Sequence, residues 1–118
     1  MNKINIVIAD PNGRRLKKLV DYMSGETDVF NVYPFTSIES FNSHIADKQN
    51  KTDIVALAEE FSNLMTSRTR AVIILLADKK NIGQTCVALN KNQKPERLAN
   101  AILKIFAEKT GRSVVIAG

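Results

Sequence analysis

The stretch DIVALAEEF, residues 53–61, decides the fold. Ile54-Val55-Ala56-Leu57-Ala58 is five apolar residues in a row, and Glu59 and Glu60 follow at once. A short unbroken apolar run suits a strand buried on both faces, as in a parallel sheet covered by helices. The two glutamates fit the first turn of a helix, where the dipole favours negative charge. The tip of such a strand is where an α/β protein usually places its chemistry. Here the tip is Ala58, a methyl group.

Along the rest of the chain, short apolar runs alternate with segments of helical spacing. Residues 4–9 are a β-branched strand, and Leu16, Leu19, Val20 and Met23 follow helical spacing up to a terminating Gly25. Residues 29–33 read as a second strand. Thr36 and Glu39 fit a capping box opening a helix with Ile38, Phe41 and Ile45 on its apolar face. Residues 59–67 read as a short helix with Phe61, Leu64 and Met65 inward. Residues 71–77, AVIILLA, are the most hydrophobic piece and are expected to be central. Residues 78–84 leave room for a turn or two of helix, and residues 86–89 form a fifth strand. Residues 95–109 form the last helix, with Pro95 in its first turn, a stripe of Leu98, Ile102, Ile105 and Phe106, and Gly111 as terminator.

Strict alternation predicts an α/β protein, a three-layer α/β/α sandwich on a parallel five-stranded sheet. The expected order is 2-1-3-4-5, with ligands bound beyond the carboxyl ends of strands one and three, at Asp10-Pro11-Asn12 and Ala58-Glu59.

Bulk properties exclude several classes. A chain of 118 residues with 44% hydrophobic content supports one ordinary core. One cysteine and one histidine rule out an internal disulfide and argue against structural zinc. Cys86, in an apolar stretch, reads as a buried thiol, and His44 as a surface or boundary residue. No apolar run approaches a membrane span, and the first residues lack a signal-peptide layout, so a cytoplasmic protein is expected. The net charge of +5 fits solubility, nucleic acid, an anionic membrane or an acidic partner. Basic residues cluster at Arg14, Arg15, Lys17 and Lys18, and again at Lys91, Lys94, Arg97 and Lys104. With no aromatic platform among them and no helix-turn-helix pattern, a solvated face or an acidic partner fits better than nucleic acid. No Gly-rich phosphate loop and no nucleophile-histidine-acid set appear, so no catalytic residue and no cofactor are assigned, and the chain does not read as an enzyme.

The layout resembles a response-regulator receiver domain. Three places carry the resemblance: Asp10 at the end of strand one, DIVAL over 53–57 as the third strand, and ALNKNQKPERLANAI over 88–102 as the fifth strand and last helix. Lys91 stands in the place of the receiver lysine and Leu98 in that of the downstream leucine. The departures bear on activity. Ala58 holds the phosphoacceptor place, Pro11 that of a second metal-binding acid, Leu76 that of the switch hydroxyl, and Asn92 that of the proline after the lysine. Too few carboxylates remain for a receiver-type Mg²⁺ site. Asp10 reads either as a remnant metal ligand or as an acid ahead of the helix that pairs with Lys91. Glu59 reads either as a substitute acid or as a match to the dipole. The resemblance therefore implies an atypical, phosphorylation-independent receiver, a protein-interaction and localisation module. Such atypical receivers occur at the N-terminus of TadZ/CpaE-type pilus assembly proteins, in which a MinD/ParA-like ATPase domain follows, and the chain resembles that domain. Two other readings stand beside it: a receiver phosphorylated on another acid, and a small nucleic-acid-binding regulatory domain.

With the region before strand five shortened, a homodimer or partner interface is expected around Ile82, Val87, Lys94, Arg97 and the last helix. The domain is expected to span residues 1–111. Residues 112–118, with the strand-like SVVIAG, are expected to be an extra strand or the start of a following domain.

Overall fold

In a computed structural model, residues 3–25, 28–66, 68–78 and 87–111 are described. Strand β1 (Ile4–Ala9) leads to helix α1 (Gly13–Gly25), then β2 (Phe30–Phe35), α2 (Ile38–Ala46), β3 (Ile54–Ala58), a 3-10 helix (Glu59–Leu64), β4 (Val72–Ala77), β5 (Val87–Asn90) and α3 (Pro95–Thr110). All pairings are parallel, in the order β2-β1-β3-β4-β5. This is the arrangement expected from the alternation, and it is consistent with a flavodoxin- or CheY-like fold.

Helices cover both faces. Leu16, Leu19 and Met23 of α1 and Leu98, Ile102 and Phe106 of α3 pack on Ile4, Ile6, Ile8, Ile54 and Ile74. Phe41 of α2 and Phe61 pack on Val7, Val55 and Leu57 on the other side. Every residue of β3 is buried, so β3 is the central strand rather than β4, whose Val72, Ile73 and Leu75 are half-buried. Hydrophobicity misleads about rank because β4 lies one strand from the edge and β3 has a neighbour and a covered face on every side.

Three local features differ notably from the sequence expectation. The second strand runs two residues further, through Pro34, which an edge strand tolerates because its N–H side is not needed. The cap of α2 is Ser37, not Thr36: its hydroxyl accepts from Ser40 N at 3.3 Å, a contact worth about 1 kcal/mol. Glu39 accepts from the Ser37 hydroxyl at 3.1 Å, so the Thr36–Glu39 box does not form. The segment after β3 is a 3-10 helix that ends at Leu64. The chain then turns extended, so Met65 goes inward and Leu64 is 50% exposed. At the end of α3, Gly111 adopts φ 72° and donates to Ala107 O at 2.8 Å, which is the terminator read from sequence. Expectations for residues 78–84 beyond Asp78, for Ile82 and Cys86, and for residues 112–118 fall outside the described residues.

Candidate functional site

At the carboxyl edge of the sheet, polar residues that follow β1, β3, β4 and β5 gather in two sets of contacts. Asp10 follows β1 directly and is 1% exposed, the one buried charged side chain among the described residues. Its carboxylate accepts three hydrogen bonds. Arg15 grips it in a two-pronged contact, Nε to Oδ2 at 2.6 Å and Nη2 to Oδ1 at 2.7 Å. The backbone N–H of Asn12 donates to Oδ1 at 2.8 Å, and the Asn12 side chain in turn accepts from Arg15 N, capping α1. A two-pronged guanidinium contact is among the strongest pairings available to a carboxylate. Hydrogen bonding to Asp10 raises the Arg15 guanidinium above its ordinary value, against a smaller lowering by burial. Asp10, Glu60 and Asp78 add attraction. Arg15's contribution is therefore present below the ordinary arginine range and lost only as pH climbs through the raised value, so pH changes in the physiological range do not discharge it.

The tips of β3, β4 and β5 are tied by a second set of contacts. The Glu59 carboxylate accepts from Asp78 N, and Asp78 accepts from Asn92 Nδ2 at 3.0 Å. Lys91 N donates to Ala77 O at 2.9 Å. The Lys91 ammonium lies 3.9 Å from Glu59 and 3.8 Å from Glu60.

The structure thus gives Asp10 to Arg15 and not to Lys91. The strand order supplies the reason. β1 and β5 are three strand spacings apart, about 14 Å, whereas the β3 tip with its glutamates is closer to Lys91. Arg15 is the residue that sequence reasoning missed, having been grouped with Arg14, Lys17 and Lys18 as a solvated basic run. The helical phase carried the signal. Leu16 and Leu19 face the core, so Arg15 sits at the boundary of the buried face and one turn from Leu19, while Lys17 points out and pairs with Asp21 at 2.6 Å.

The remaining candidate residues are hydrophobic or peripheral. Ala58 is 0% exposed, and its register partner Leu76, at 2%, belongs to the core under α1 and α3. Pro11 is exposed beside Asp10. Of the expected interface, Val87 is half-buried at the start of β5, and Lys94 and Arg97 are exposed at the start of α3. His44 is half-buried against Tyr33 and Phe35, with its Nδ1 3.3 Å from Asn50.

A receiver-type divalent cation does not fit this donor set. Both Asp10 oxygens are held by Arg15, and neither Pro11 nor Ala58 offers a carboxylate. Among the described residues no three His, Cys, Asp or Glu side chains converge as a metal-holding group. No described helix is long and apolar enough to cross a membrane. No family model, no curated protein and no solved structure matches the chain.

Proposed function

We propose that this chain is a receiver-like interaction and localisation module that works without phosphorylation, in the manner of the N-terminal domain of TadZ/CpaE-type pilus assembly proteins. One observation supports the reading above others. The place where a receiver would carry its acceptor is a sealed methyl, Ala58, and the nearby acid that would ligate a metal is clamped by Arg15. An internal cation thus stands where an exchangeable one would be needed. The Asp10 carboxylate is neutralised from within the chain, and the chain's use lies in the surfaces it presents to a copy of itself or to another cytoplasmic protein. A MinD/ParA-like ATPase domain in the parent protein belongs to the same reading.

Sedimentation over a range of protein concentrations, with and without acetyl phosphate and Mg²⁺, tests this use. The expected result is concentration-dependent association, or capture of a partner, that is the same under both conditions. A chain that stays monomeric at high concentration and enriches no partner contradicts the reading. So does association that switches on with the phosphodonor.

A further inference from the structure

A cleft of about 330 Å³ opens between the start of α1 and the turn from β5 into α3. Its lining includes Arg14, Arg15, Lys18 and Lys91, together with Asn12 and Asn92, and no carboxylate. Arg14 and Lys18 are poorly placed for helix stability, whereas Arg15 is offset by Asp10 and Lys91 by Glu59 and Glu60. Arg14 and Arg15 occupy the first turn of α1, where there is no acid and where positive charge opposes the helix dipole. Arg14 and Lys18 stand four residues apart on α1, a like-charge spacing that destabilises a helix by a few tenths of a kcal/mol. At the start of α3 the cap position is again a cation, Lys94, with no side-chain capping bond. Local rules broken twice beside one cleft are the pattern expected of a binding site.

Two of these donors are unpaired among the described residues, and the other two keep spare donor capacity beside a carboxylate partner. Neither Arg14 nor Lys18 makes an ion pair among the described residues. Lys91 stands 3.8–3.9 Å from its glutamates, within ion-pair range but too far for a hydrogen bond. Arg15 uses Nε and one Nη2 hydrogen on Asp10, which leaves Nη1 for another acceptor.

We infer that this cleft docks a short acidic segment of a protein partner, its successive carboxylates taken by Arg14, Lys18 and Lys91. The inference rests on the reading of the chain as an interaction module and names the chemistry of one partner. Arg14 and Lys18 are about 6 Å apart at Cβ, and Lys91 sits on a different element, so the donors match several charges in succession rather than one small anion. Nucleic acid fits less well. Among the described residues the exposed aromatic is Tyr33 on β2, at the opposite edge of the sheet from β5, and Tyr22 on α1 packs against the core and does not line the cleft, so the lining offers no base-stacking ring. Asp21 and Glu96 also interrupt any longer basic stripe along α1 and α3.

The test is a fluorescence-anisotropy titration of the full chain against a fluorescein-labelled polyglutamate peptide. Saturable binding is expected, weakened about tenfold or more by Arg14→Glu with Lys18→Glu, two exposed positions. Lys104→Glu with Lys109→Glu makes the same charge change elsewhere on α3 and is expected to weaken binding by less than about twofold. Absence of saturable binding overturns the inference. So does equal weakening by the two pairs, which is a long-range field and not a site. Displacement of the peptide by tripolyphosphate or duplex DNA at lower concentration than by unlabelled polyglutamate also overturns it. Sedimentation of the same samples separates this from the parent reading: donor-independent association with no peptide site overturns the cleft alone.

Discussion

Arg15→Met is expected to lower the unfolding free energy by about 3 kcal/mol, because it strands a buried charge. Asp10 is 1% exposed, and its remaining partner would be a single backbone N–H from Asn12. Taking one member from a buried ion pair typically costs about 3–5 kcal/mol, and the partial exposure of Arg15, 23%, places this case at the lower end. Urea unfolding should show a fall in midpoint at an unchanged slope. Adding Asp10→Asn to Arg15→Met should recover much of the loss, since the amide keeps an acceptor for Asn12 without a charge to neutralise. Arg15→Lys should fall between, because a lysine keeps the charge and loses the fork. A loss below about 1 kcal/mol for Arg15→Met would mean that the pair behaves as a surface salt bridge and does not lock the edge.

Ala58→Asp is expected to destabilise by a similar amount, about 3 kcal/mol or more, without creating a receiver. The position is 0% exposed, its register partner is Leu76, and Glu59 follows in the chain. A carboxylate placed there is desolvated and repelled by its neighbours, while Arg15 is already committed to Asp10. Unfolding with and without Mg²⁺ reads both parts of the expectation. A bound cation would raise the midpoint by mass action, and no rise is expected. A variant as stable as the parent chain, or one that Mg²⁺ clearly stabilises, would show that the pocket retains a cation site.

The fold was legible because its determinants are local. The unbroken apolar run of β3 reports burial on both faces, and alternation with helical segments leaves few parallel topologies. Boundaries set by competition between adjacent residues were less legible. Thr36 and Ser37 both offer a capping hydroxyl, and α2 starting at Ile38 makes Ser37 the cap. The outward Leu64 reflects where the 3-10 helix ends, which no hydrophobic pattern encodes. In the site, the missing acceptor, Ala58, could be read directly, whereas the counterion could not. Asp10 and Lys91 look like partners by analogy with receivers. The pairing with Arg15 emerges only once α1 is phased on Leu16 and Leu19 and the strand order separates β1 from β5.

The most direct test of the central claim is the intact mass of the wild-type chain after incubation with acetyl phosphate and Mg²⁺. The expected result is an unmodified chain, because Ala58 offers no acceptor and Arg15 holds the acid a metal would need. A stable gain of one phosphoryl group that disappears in Glu59→Gln would contradict the account and make Glu59, beside Lys91, the acceptor of a working receiver.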